Sequence, residues 1–321
     1  MNLHAIPANP VPEGAVSGQL VTLDGVRVRY ARWTPSAPRR GTVCLFPGRA
    51  DMIEKYFEVV EELRARGFAV AVLDWRGQGG SQRLLSDPRK GYVRSFDQYQ
   101  LDLEVFMREV VLPDCPPPIF ALGHSMGAVI LIEAIRQGRR WFDRIVLTSP
   151  MIDLWGVFGR GLARQVAHTG ALLGLGRLYI PGGGPLADIS RPFLGNLFTS
   201  DPVRYERTAS IIEAAPELGL GSPTIGWAHA AFQVMDRLID SAYPAAIRQP
   251  ILIIVAGEDK VVSIPAIERF AVRLRAGSHL IIAGSRHEIL VERDVFRAQF
   301  WAAFDAFIPG SPLVPGSPLY R

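Results

Sequence analysis

Two hydrophobic rhythms alternate along this chain. Short apolar runs at Thr42–Phe46, Phe68–Leu73, Ile119–Leu122, Ile145–Leu147, Ile251–Val255 and His279–Ile282 read as strands. Between them, apolar residues recur at helical spacing: Ile53, Tyr56, Phe57, Val60 and Leu63; then Leu103, Phe106 and Val110; then Ala128–Arg136; then Ile267, Phe270, Ala271 and Leu274. A final helix over about 290–307 is expected to bury Phe296, Phe300, Phe304 and Phe307. Strands without a polar face, alternating with amphipathic helices, predict a mostly parallel sheet covered on both sides. Ahead of it, Leu20–Leu23 and Val26–Trp33 flank Asp24-Gly25, a pair that suits a hairpin closed by a tight two-residue turn. Asp51 with Glu54 three residues on reads as a capping box, Gly67 closes that helix, and Ser95 with Gln98 opens the next one.

The alternation lapses near residue 153 and resumes near 247, and the stretch between is irregular and rich in Gly and Pro. The expected organisation is a core in two parts, 14–152 and 247–308, a cap inserted at 153–246 after the sixth strand, and a Pro-rich tail of little order at 309–321. The start of the cap, 154–180, holds Arg160, Arg164, His168 and Arg177 but no acid. If it is helical, Arg160, Arg164 and His168 share one face, opposite Trp155, Phe158, Leu162 and Val166. That pattern fits a lid that grips an acyl chain or rests on an anionic bilayer; a packed cap helix with a solvated basic face fits it equally.

Composition narrows the classes. The 321 residues are 48% hydrophobic and 21% charged, enough to bury one large domain with an insertion. The net charge of +4 is mildly basic, but no basic stripe interleaved with aromatics is present, so no nucleic-acid partner is expected. Cys44 and Cys115 form neither a C-x-x-C pair nor a zinc pattern; Cys44 sits in an apolar run as a core residue, and a reducing compartment is expected. Met1–Pro12 lacks the basic start and apolar stretch of a leader, and no run reaches the roughly 18 apolar residues of a spanning helix. The expectation is a cytoplasmic protein, with peripheral contact at the inner membrane surface left open.

The chemistry is concentrated at Gly123-His124-Ser125-Met126-Gly127, a G-x-S-x-G pentapeptide between the strand Ile119–Leu122 and the helix from Ala128. This is the context of a nucleophile elbow, where glycines leave room for a sharp strand-to-helix turn that exposes the serine. A serine hydroxyl needs a base, and the base needs a carboxylate to orient it. In the α/β-hydrolase fold the chain order is Ser, acid, His. Of the six histidines, His287 lies in the loop after the last strand, where that fold places its base. The resumed strand is followed by Glu258-Asp259; Asp259 is the expected acid and Glu258 the alternative. Met126, directly after the nucleophile, supplies one oxyanion N–H, and Arg49, after Gly48 in the loop that follows Thr42–Phe46, supplies the other. The Arg49 side chain would either attract an anionic headgroup or be solvated. Asp74–Ser81 is glycine-rich but lacks the G-x-G-x-x-G spacing, and reads as a structural loop beside the active site.

Together these residues resemble bacterial lysophospholipases and the related monoacylglycerol lipases, grouped as serine aminopeptidase-like hydrolases. The resemblance runs from about Phe46 to Thr148 and from about Pro250 to the final helix, in FPGRADMIEKY, LDWRGQGGSQRLLSDPRKGYVRSFDQY, ALGHSMGA, VAGEDKVVS and GSRHEI. Monoacylglycerol lipases usually carry His-Gly in the oxyanion loop and Arg-Gly-His-Gly after the next strand. Pro47-Gly48 and Arg76-Gly77-Gln78-Gly79 stand there instead and resemble the lysophospholipase branch. The resemblance implies a triad of Ser125, Asp259 and His287, oxyanion donors Arg49 and Met126, a helical cap, and no metal or organic cofactor. It implies a lipid or ester substrate, for which Phe158, Leu162 and Trp227 are the candidate cap contacts. A peptidase of the same fold would need an acidic pocket for a free amino terminus, from Asp188, Glu213 or Glu217. An acyltransferase would favour an alcohol over water, and a non-catalytic binding protein would commonly lack a triad member.

Overall fold

The computed structural model describes residues 3–36, 39–240 and 242–309, and leaves the side chains of residues 157–160 outside the description. Eight strands form one sheet: β1 (Val16–Val21), β2 (Arg27–Trp33), β3 (Thr42–Phe46), β4 (Ala69–Leu73), β5 (Ile119–His124), β6 (Arg144–Thr148), β7 (Ile251–Ala256) and β8 (Gly277–Ile282), in the order β1-β2-β4-β3-β5-β6-β7-β8. β2 runs antiparallel to β1 and β4, and the other pairs are parallel. The helices are α1 (Phe57–Ala65), α2 (Asp97–Phe106), α3 (Leu112–Asp114), α4 (Met126–Arg136), α5 (Val157–Leu172), α6 (Pro202–Ala214), α7 (Ile225–Ile239), α8 (Ala242–Ala245), α9 (Ile264–Ala271) and α10 (Asp294–Phe307). This is the α/β-hydrolase fold, with a helical insertion after the sixth strand.

The absence of polar faces in the central strands has a direct structural cause. β3, β4, β5 and β7 are buried at every position. Successive side chains point to opposite faces. Cys44 and Phe46 join a core with α2, α4 and α9, whereas Val43 and Leu45 join a second core with α1 and α10.

Three local expectations are corrected. Thr22 N–H donates to Val26 O at 2.9 Å, so the hairpin loop holds three residues, Leu23–Gly25, with Gly25 at φ +81°. A three-residue loop needs a glycine in the left-handed region, and this one supplies it. Asp51 and Glu54 form no capping box: Met52 precedes a short 3-10 turn, Ile53–Tyr56, without a side-chain cap. Both carboxylates are drawn into buried ion pairs instead, Asp51 with Lys55 and Glu54 with Arg29. In α10 the buried residues are Arg297, Phe300, Trp301, Phe304 and Asp305. Phe296 and Phe307 flank them and are half-buried.

The stretch read as irregular is substantially helical, since α5, α6, α7 and α8 all lie between β6 and β7. Asp201 and Thr224 cap α6 and α7, their side chains accepting from the N–H groups of Arg204 and Trp227. Apart from Pro309, the tail lies outside the described residues. Both cysteines are buried and free. Among the described residues no helix is long and apolar enough to cross a membrane.

Candidate active site

Ser125 occupies the junction of β5 and α4 at φ 50° and ψ −109°, a conformation unfavourable for a residue with a Cβ. The surroundings hold it there: its N–H donates to Thr148 O at 3.0 Å, and its carbonyl accepts from Met151 N–H at 3.2 Å. The glycines on either side are steric necessities. A Cβ on Gly123 would lie 2.7 Å from Leu131 Cδ1, and one on Gly127 would lie 2.3 Å from Phe46 O. The second contact also shows how tightly the start of α4 packs against the loop after β3.

His287 Nε2 lies 3.1 Å from Ser125 Oγ, and its Nδ1 lies 2.7 Å from Asp259 Oδ2. An ionised carboxylate only accepts, so Nδ1 carries the proton toward Asp259 and Nε2 accepts the serine hydroxyl. The other oxygen, Asp259 Oδ1, accepts from Val261 N–H at 2.8 Å and Val262 N–H at 3.0 Å. Burial opposes the Asp259 charge, but His287 and these two N–H groups outweigh it and hold the carboxyl below its usual range. Glu258, the alternative acid, is exposed.

Gly48 brings the loop after β3 against Ser125: a Cβ there would lie 3.5 Å from Ser125 Cβ and 3.0 Å from His124 Cδ2. The N–H groups of Arg49 and Met126, on the two sides of this contact, donate to no acceptor among the described residues. Two preorganised donors beside the serine are what a developing oxyanion requires. Gln78 holds this loop from behind. Its Nε2 donates to Gly48 O at 2.7 Å and Asp51 O at 3.2 Å, and its Oε1 accepts from Ala50 N–H at 3.3 Å. The segment Asp74–Ser81 thus supports the oxyanion loop; nothing in its spacing points from Gln78 to Gly48, thirty positions away.

The profile of the family described as serine aminopeptidase, S33 matches residues 37–294. The chain belongs to that family. It is 31% identical over 292 residues to lysophospholipase L2 of Escherichia coli strain K12, covering 86% of this chain and 82% of that one. It is 24% identical over 271 residues to a monoacylglycerol lipase of Mycolicibacterium smegmatis, covering 84% and 88%. A soluble variant of the Saccharomyces cerevisiae monoglyceride lipase superposes with a TM-score of 0.75 at 18% identity, covering 97% of this chain and 100% of the other, and shares its fold. This S33-family chain is a serine hydrolase.

A cavity of about 680 Å³ opens beside Ser125 and His287. Met151, Leu220, Ile225, Phe232 and Met235 make its wall largely apolar. Trp227 lines it while buried, its Nε1 donating to Tyr99 Oη at 3.1 Å, so it both shapes the pocket and packs the cap. Leu162 lines the mouth and is 68% exposed. The side chains of Phe158 and Arg160 lie outside the described residues. From the basic residues of α5, Arg164 pairs with Asp236 of α7 at 2.6 Å and the His168 ring lies 5.2 Å from that of His229, with Arg164 and His168 both remaining exposed.

Two further groups belong to the site. His124 is buried with its ring 4.9 Å from that of His287, and Nδ1 lies 3.1 Å from Thr148 Oγ1. Burial, reinforced by His287, pulls its pKa down to about 3, so it is neutral at physiological pH. Lys55 lies between Asp51 and Glu288, all three in the cavity lining, and Asp51 also accepts from Gly48 N–H at 2.7 Å and Tyr56 Oη at 2.7 Å.

Proposed function

We propose that this serine hydrolase cleaves the carboxylic ester of single-acyl lipids, of the lysophospholipase or monoacylglycerol lipase type, through an acyl-enzyme. The observation that carries this reading is the apolar cavity of about 680 Å³ opening beside the Ser125 hydroxyl, which suits one acyl chain. His287 takes the Ser125 proton as Oγ attacks the ester carbonyl. The N–H groups of Arg49 and Met126 hold the oxygen that becomes negative. Collapse of this intermediate breaks the bond to the alcohol, which leaves with the proton from His287. Water, deprotonated by His287, then attacks the acyl-enzyme and releases the fatty acid. Asp259 keeps the imidazole in the required tautomer and stabilises its charged form.

The geometry disfavours recognition of a peptide amino terminus. Asp188 lines the cavity but pairs with Arg191 at 3.2 Å, Glu217 faces His4 at 3.5 Å, and Glu213 is exposed outside the lining. Asp51 and Glu288 are both engaged by Lys55. Leu162, Val166 and Leu197 line the cavity while exposed to solvent, which supports peripheral contact with the membrane in which such substrates dissolve.

The decisive experiment compares wild type and Ser125→Ala on a lysophospholipid, a monoacylglycerol, a short ester and an aminoacyl amide. Lipid ester hydrolysis is expected in the wild type and a loss of about 10⁵–10⁶-fold in the variant. Preference for the amide, or substantial ester hydrolysis by the variant, would overturn the reading.

A further inference from the structure

The mechanism uses the backbone of Arg49 and leaves its side chain unassigned. That side chain lines the cavity. Its guanidinium carbon lies 5.2 Å from the centre of the Trp227 ring, and Nη2 donates to Gly221 O at 2.6 Å. Nε is buried without a hydrogen-bond partner. Among the described residues no carboxylate pairs with it, in contrast to Lys55, which two carboxylates neutralise. Burial pulls the guanidinium down to about 10; Asp188, which lines the same cavity and pairs with Arg191, opposes that shift without offsetting it. A buried charge of this kind costs stability until an anion meets it.

We propose that the Arg49 side chain is the headgroup anchor, binding the phosphate oxyanion of a single-acyl glycerophospholipid whose ester carbonyl sits at Ser125. This deepens the lipid-ester reading and rests on it. One residue would then meet both anionic centres of the reacting complex, the oxyanion with its backbone N–H and the phosphate with its side chain. In a lysophospholipid the glycerol joins the ester to the phosphate, and Ser125 and Arg49 line one cavity. The unused guanidinium N–H groups form a planar fork suited to two phosphate oxygens. The Trp227 ring, 5.2 Å from the guanidinium carbon, supplies a cation–π contact that helps hold the fork in the cavity wall. A neutral monoacylglycerol leaves the cation unmatched, so the pocket selects the phosphate-bearing lipid.

The test measures kcat/KM for a lysophospholipid and a monoacylglycerol of the same acyl chain in wild type, Arg49→Met and Arg49→Lys, with folding checked by thermal melting. The expected result is a fall of about 10–100-fold in the lysophospholipid-to-monoacylglycerol ratio for R49M, as for loss of a hydrogen bond to a charged group. The fall appears mainly in the lysophospholipid KM, with partial recovery in R49K. All three proteins retain the backbone N–H, so damage to the oxyanion site lowers both substrates together and leaves the ratio alone. An unchanged ratio in folded R49M overturns the anchor. A wild type that hydrolyses neither lipid, yet reacts with a fluorophosphonate at Ser125, overturns the lipid-ester reading itself. Inorganic phosphate separates a headgroup from a free ion: it is expected to raise KM for the lysophospholipid alone. An equal effect on both substrates that disappears in R49M would assign the site to free phosphate and overturn the proposal.

Discussion

Lys55 joins the oxyanion loop to the residue beside the catalytic-site histidine: its ammonium contacts Asp51 and lies 2.6 Å from Glu288, which follows His287. All three side chains are largely withdrawn from water. Asp51 passes the link on to Gly48 N–H, so one buried cation ties together the two loops that must stay in register around Ser125.

Lys55→Met is therefore expected to leave Asp51 and Glu288 as uncompensated buried charges. The cost is about 3–5 kcal/mol of stability, read from denaturant unfolding. An unchanged midpoint would show that water relieves the two carboxylates.

Gln78→Leu removes the amide that clasps Gly48 O, Asp51 O and Ala50 N–H. A small displacement of Arg49 N–H weakens oxyanion stabilisation without touching the acyl pocket. The expected outcome is a fall in kcat of about 10²-fold with KM little changed. Steady-state kinetics on one lipid ester checks it, and a change confined to KM would contradict it.

Asp259→Asn preserves the size of the side chain but favours the wrong imidazole tautomer at His287. A loss of about 10⁴-fold in kcat is expected. Glu258→Gln serves as the comparison, because Glu258 is exposed and does not reach His287. Equal losses in the two variants would reopen the choice of acid.

His124 contributes to acid sensitivity. Its folded pKa of about 3 lies below its ordinary 6.5, chiefly because burial disfavours the charged ring. The unfolded chain therefore binds a proton that the folded chain refuses, and stability falls as pH drops from about 6.5 toward 3. His124→Asn is expected to flatten that part of the stability curve, measured by denaturant unfolding at successive pH values. An unchanged slope would remove His124 as its source.

How much was legible in the sequence differs from residue to residue. Ser125 was visible because a nucleophile elbow is a local device: glycines two positions away on each side, a strand before and a helix after leave few alternatives. His287 and the Glu258-Asp259 pair, with Asp259 preferred, followed from the order in which this fold returns its strands to the sheet. Asp51 was misread because a capping box and a buried ion pair use the same residue types, and nothing nearby in the chain reveals whether a lysine will be buried with it. Gln78 and Glu288 were missed for a related reason. Their partners, Gly48 and Lys55, lie on other loops, and only strand pairing across the sheet brings those loops together.

Strand and helix periodicity, the strand–Gly-x-Ser-x-Gly–helix signature and chain order thus determined the fold class and singled out Ser125 as the candidate nucleophile, because each depends on residues close in sequence or on one topological rule. Tertiary structure alone decided which carboxylate meets His287, that Arg164 of α5 pairs with Asp236 of α7, and that Arg49 lies in the cavity wall against Trp227 without a salt bridge among the described residues. Those outcomes depend on burial and on counter-charges supplied from distant segments, and both exist only once the chain has closed on itself.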